Sequence, residues 1–179
     1  GQFRAPAGIA VAADGTVYVV EEGNNRVQQF TSGGWFLGEW GSEGTEDGQF
    51  ATPIGIALAT DSTVYVTDMS NRIQHLTTDG SFLGMIGSAA PATPQLQAPF
   101  GVAVAPDGTV YAADASIARI QRFTAAGAFV GGWGSPGAGN GQFNMPWSVA
   151  VAGTGDVYVA DRDNHRIQRF TSSGSFLGA

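Results

Sequence analysis

Short apolar runs and polar breaks alternate along the whole chain. Residues 8–12 form one β-rich run, and Ala13-Asp14-Gly15 breaks it with a hairpin turn whose glycine can take a positive φ. Val17-Tyr18-Val19-Val20 follows, β-branched and aromatic. Arg26-Val27-Gln28-Gln29-Phe30 is the third run, Ser32-Gly33-Gly34 turns again, and residues 35–40 make the fourth. No window sustains a helical period over three turns. The pattern predicts four short antiparallel strands, then a linker rich in Gly, Ser, Glu and Thr.

This unit occurs four times. Pro6, Pro53, Pro99 and Pro146 are spaced 47, 46 and 47, and Tyr18, Tyr65, Tyr111 and Tyr158 repeat the same intervals. Arg26, Arg72, Arg119 and Arg166 are spaced 46, 47 and 47, because the second unit is one residue shorter in its turn. Four short strands per unit of this length mark a propeller blade, whose faces are buried only by stacking on neighbouring blades. The expected fold is all-β: one propeller domain over residues 1–179, with blades at about 1–47, 48–94, 95–140 and 141–179.

Composition narrows the chemistry. Apolar residues make up 43% and charged residues 13%, a folded balance. There is no cysteine, hence no disulfide, thiolate metal site or cysteine nucleophile. The net charge of −7, with arginine as the only strong base, disfavours nucleic acid. No apolar run approaches the roughly 20 residues of a spanning helix. Gly1-Gln2-Phe3-Arg4 does not read as a signal peptide and falls at a repeat boundary, which leaves room for a leader or further repeats upstream. The compartment stays open, secretion and the periplasm included.

The sharpest unit is Gly141-Gln142-Phe143, Pro146, Val157-Tyr158-Val159-Ala160-Asp161, Asn164-His165-Arg166-Ile167-Gln168-Arg169-Phe170 and Gly174-Ser175-Phe176-Leu177-Gly178. It resembles the NHL-repeat family of β-propellers, and the resemblance extends to all four units. The first unit departs with Glu21 at the strand-end aspartate, the third with Ser116-Ile117-Ala118 in the turn. Family members usually close six blades, whereas this chain carries four. Two arrangements relieve bare end faces: a four-bladed ring at about 90° per blade, or two chains meeting end to end as eight blades. Pairing is the expectation, because no strand exchanged between the termini is available to lock a four-bladed ring.

The recurring turn pairs Asp68 with Arg72, Asp114 with Arg119 and Asp161 with Arg166. Recurrence in every unit points to structure, each carboxylate holding turn N–H groups while the arginine crosses to a neighbour. His75 and His165 occupy different repeat positions, so no histidine metal site is expected. The linker with Glu39, Glu43, Glu46 and Asp47 lacks the Asp/Gly alternation of a calcium loop and reads as solvated acid.

Function is sought where the repeats disagree. The residue after each proline is Ala7, Ile54, Phe100 or Trp147, and two before it stand Arg4, Ala51, Gln97 and Asn144. Varied residues on a constant frame are what a binding surface looks like. The candidate binding set is Arg4, Ile54, Gln97, Phe100, Asn144 and Trp147; plugging of the channel by the apolar three is the other open reading. The leading expectation is a non-catalytic scaffold binding a protein or small ligand on the ring face, without metal or cofactor. Three alternatives stand beside it. One is a fragment or engineered repeat protein that folds and assembles. Another is the metal-dependent lyase or lactonase-like activity the resemblance implies, which the non-ionisable innermost strands disfavour. The third is RNA binding, known for some members with a basic face.

Overall fold

The computed structural model describes residues 2–87 and 96–179. The expected boundary between the second and third units, 94/95, lies outside them. The first blade comprises β1 (Pro6–Val11), β2 (Val17–Glu21), β3 (Arg26–Phe30) and β4 (Phe36–Trp40). The second holds β5 (Pro53–Leu58), β6 (Thr63–Asp68), β7 (Arg72–Thr77) and β8 (Phe82–Ile86). The third holds β9 (Pro99–Val104), β10 (Val110–Asp114), β11 (Arg119–Phe123) and β12 (Phe129–Trp133). The fourth holds β13 (Pro146–Val151), β14 (Val157–Asp161), β15 (Arg166–Phe170) and β16 (Phe176–Gly178). Each blade is a four-stranded antiparallel sheet in sequential order. The protein is thus a β-propeller of four blades.

The innermost strands begin two residues earlier than expected, at the prolines, because the chain bulges there. Pro99 faces Asp114 while Gly101 faces Ala113, and Pro146 faces Asp161 while Ser148 faces Ala160. Phe100 and Trp147 are therefore extra residues with no partner across the ladder. A bulge at a sheet rim re-aims its side chain away from the pleat. The variable residue after each proline owes its direction to this feature.

Blades stack through their faces. Tyr18, Val20 and Val27 of the first blade meet Ile56, Val64 and Leu76 of the second, with Phe50 wedged between. The next junction joins Tyr65 and Ile73 to Val102, Val110 and Phe123. The third joins Tyr111 and Ile120 to Val149, Val157 and Phe170. Each fully buried side chain of this kind contributes about 1.5–3 kcal/mol relative to exposure.

Around the channel the innermost strands approach backbone to backbone. A Cβ at Gly8 would lie 2.5 Å from the Ile54 carbonyl, and one at Gly101 2.6 Å from Ser148 Cα. Glycine is required there by space.

No core cluster among the described residues joins the fourth blade to the first. The arc is open: of the two arrangements considered, a four-bladed ring closed within one chain is not the one formed. Burial shows the consequence. Tyr18, Tyr65 and Tyr111 are buried, but Tyr158, expected to match them, is 38% exposed because no following blade covers it.

Candidate functional site

The ring face is framed by the acid ending each second strand. Glu21 accepts the Arg4 N–H at 2.7 Å, Asp114 the Gln97 N–H at 2.9 Å and Asp161 the Asn144 N–H at 2.7 Å. These bonds pin the backbone two residues before each proline and leave the side chains of Arg4, Gln97 and Asn144 exposed. The same acids bind arginine. Arg72 pairs with Asp68 at 3.0 Å and donates to the carbonyls of Thr45 and Gln49. Arg166 pairs with Asp161 at 2.8 Å and donates to those of Gly139 and Gln142. Arg26 bonds Glu21 and Glu39, each at 2.6 Å. The acidic linker is thereby a strap held by arginine: Arg72 reaches its backbone carbonyls and Arg26 reaches Glu39.

The third blade differs. No ion pair joins Asp114 to Arg119, so the expected pair is absent. Asp114 instead accepts the N–H groups of Gln97 and Ala98 and the Gln121 amide. Burial raises its pKa, with these hydrogen bonds opposing. Burial also raises that of Asp68, against the pull of Arg72. At Glu21 burial pushes upward too, but donors from Arg26, Arg4, Gln28 and Asn24 outweigh it and hold the carboxyl below its ordinary value.

Sequence reasoning missed the buried glutamines of each third strand, Gln28, Gln74, Gln121 and Gln168. Gln168 Nε2 donates to the Gln142 carbonyl at 2.7 Å and to Asp161 at 3.0 Å. Their fourfold recurrence was the available signal.

Phe100 and Trp147 come together on the ring face, ring centroids 4.4 Å apart. Trp147 is 39% exposed and Phe100 half-buried. The Arg162 guanidinium lies 4.6 Å from the Trp147 ring centre, in cation–π range. Arg162 was not singled out from the sequence. It follows the strand-end acid, where the other repeats carry Glu22, Met69 and Ala115, so the rule of looking where repeats disagree identifies it. A groove of about 520 Å³ beside the pair is lined by Trp147, Arg162, His165 and Ile167. Another of about 510 Å³, between the third and fourth blades, includes Asn144, Met145 and Asn164.

Arg4 does not join this cluster; its side chain packs over Gly23 of its own blade. Gln97 lines neither groove, and Ile54 presents its carbonyl to Gly8. His165 sits exposed in a left-handed turn at φ 53°. His75 stacks on Tyr65 at 4.2 Å, and burial lowers its pKa against the pull of Asp61. Among the described residues no three His, Asp or Glu side chains group to hold a metal.

The NHL repeat pattern matches residues 3–30 and 143–170. No curated protein matches. Among solved structures, the chain is similar to virginiamycin B lyase from Staphylococcus aureus, at 21% identity and TM-score 0.74, covering 99% of this chain and 56% of that one. It is similar to a streptogramin B lyase at 19% and 0.75, covering 98% and 54%. A nidogen/laminin complex matches at 18% and 0.72, covering 94% and 61%. The chain therefore spans little more than half the length of these structures, and the likeness is one of fold.

Proposed function

We propose that this NHL-repeat β-propeller chain is a non-catalytic binding scaffold whose partner docks on the ring face at Phe100, Trp147 and Arg162. The observation that carries the reading is the exposed Trp147–Phe100 pair capped by a guanidinium. Both aromatic residues are aimed outward by bulges on an otherwise repetitive frame. An aromatic platform beside a cation suits a partner that offers an apolar or aromatic group next to a carboxylate, which would compete with Asp163 for Arg162. A solvated rim with one buried aromatic anchor is also how hot spots are built. The nidogen/laminin likeness is in keeping with protein binding, as a likeness of fold.

A lyase reading rests on the fold of the two lyases alone. Strands β1, β5, β9 and β13 carry no ionisable side chain to place beside a substrate.

The test is a titration of the Trp147 indole N–H signal with short peptides ending in Phe or Trp, as free acids and as amides. Free acids should shift the signal and amides should do so more weakly. Arg162→Ala should remove that difference. Phe100→Ala with Trp147→Ala, titrated by calorimetry because the indole signal is gone, should weaken binding more than tenfold while leaving the melting temperature within a few degrees. A signal that no peptide moves, or a double variant that unfolds without binding loss, rejects the proposal in favour of a packing role.

A further inference from the structure

The two ends of the arc are the two unpaired halves of a junction that occurs three times inside the chain. On the first blade, Ile9 is 66% exposed, while its counterpart Ile56 is 8% exposed against the preceding blade; Val11 is 62% exposed, while its counterpart Leu58 is half-buried. On the fourth blade, Ile167 is 54% exposed, while Ile73 and Ile120 at the same position are fully buried against the following blade. Residue types agree as well. Tyr158 and Ala150 repeat the tyrosine and alanine that face every following blade, and Val17 repeats Val64, Val110 and Val157.

The polar groups are complementary too. At the third junction Tyr111 and Arg122 both donate to the Ser172 carbonyl, at 3.2 and 2.9 Å. At the second, Tyr65 donates to the Ala125 carbonyl at 3.4 Å. On the bare faces the corresponding donors are Tyr158 and Arg169, the latter also paired with Asp156 of its own blade at 2.6 Å, and the corresponding acceptor is the Ser32 carbonyl.

We infer that two copies of this 179-residue segment dock head to tail, the first-blade face of one copy on the fourth-blade face of the other, and that two such junctions close the four blades of each copy into one ring. The inference is independent of the ring-face ligand. It continues the internal junction, so each new contact has a precedent within the chain. Eight blades lie within the range of about 4–8 that propellers adopt. Both bare faces are apolar, and a stable soluble monomer rarely leaves such patches uncovered.

One position departs from the interior pattern. Ser148 stands where Gly8, Gly55 and Gly101 allow close approach. By the same geometry its Cβ would crowd the Ala7 carbonyl of the docked copy, so this junction must sit wider at the channel edge. Separating blades at their inner edge reduces the angle between them, the direction a larger ring requires. A hydroxyl has a precedent at this spot: Thr67 Oγ1 donates to the Phe100 carbonyl at 2.9 Å, and the position of Thr67 is Ala160 in the fourth blade, which leaves room for Ser148 to do the same.

Sedimentation equilibrium of the 179-residue chain at micromolar concentration should give twice its 18.4 kDa. Ile9→Asp and Ile167→Asp alter exposed side chains on opposite faces, so each should keep the parent melting curve at matched dilution yet sediment as a single chain. An equimolar mixture retains one intact junction, Ile9 of one variant against Ile167 of the other. It should form a two-chain species by native mass spectrometry. A parent chain at single-chain mass overturns the inference, and dye binding to its bare faces would then assign them to another partner. A single variant that stays dimeric overturns it in favour of like faces meeting, and a mixture with no two-chain species overturns it as well.

Discussion

Arg119 forms no ion pair with Asp114, although Arg72 and Arg166 clasp Asp68 and Asp161 at 3.0 and 2.8 Å. All three acids are fully buried. The pairs therefore differ in what would be stranded if the arginine were removed.

Arg72→Ala leaves Asp68 buried without its cation and releases the strap carbonyls of Thr45 and Gln49. It should cost about 3 kcal/mol, in the range for breaking a buried pair. Arg119→Ala strands no carboxylate and should cost less than about 1 kcal/mol. Urea unfolding reads the difference, and equal losses would show that Asp114 draws on Arg119 in solution.

The carboxylates also set opposite pH trends. The folded pKa of Asp114 is raised by burial, so the folded chain takes up its proton before the unfolded chain does. Wild-type stability should therefore rise relative to Asp114→Asn as pH falls from 7 toward the ordinary aspartate value. Glu21 is lowered, so its contribution is present above the ordinary glutamate value and is lost as pH falls through its folded pKa. Wild type should lose ground to Glu21→Gln over that lower interval. Unfolding curves of the two pairs at pH 7, 5 and 3.5 check both signs.

Tyr111→Phe removes the hydroxyl that donates across the junction to Ser172 and should destabilise by about 1 kcal/mol. Tyr65→Phe should cost less, since its bond to Ala125 is 3.4 Å long and the stack on His75 is kept. Thermal melts of the two variants rank them, and the reverse order would contradict the cross-blade geometry.

Val157 is fully buried in the junction of the third and fourth blades. Val157→Asp should cost at least about 3 kcal/mol, because a charge there has no partner. Gly101→Ala puts a methyl 2.6 Å from Ser148 Cα and should cost about 1–3 kcal/mol by pushing blades apart at the channel. A melting temperature unchanged by either substitution would mean that this junction is not packed as described.

The repeat length, the strands and their turns were determined by the sequence itself. Each is set by residues a few positions apart: Asp14-Gly15 makes its turn, and Val17-Tyr18-Val19-Val20 makes its strand, whatever stands beside them. The rim was partly legible for the same reason, since disagreement at Phe100 and Trp147 stands out against a constant frame. Their direction was not, because the bulge that re-aims them arises from pairing with β10 and β14. Arg162 joined them only in space, through a stack on Trp147 across the turn. Tertiary structure alone decided which copies of a repeated face are covered. Tyr65 and Tyr158 both stand between two valines, yet one is 1% exposed and the other 38%. Burial of a blade face depends on the blade packed against it, about 47 residues away along the chain, and no local pattern carries that information.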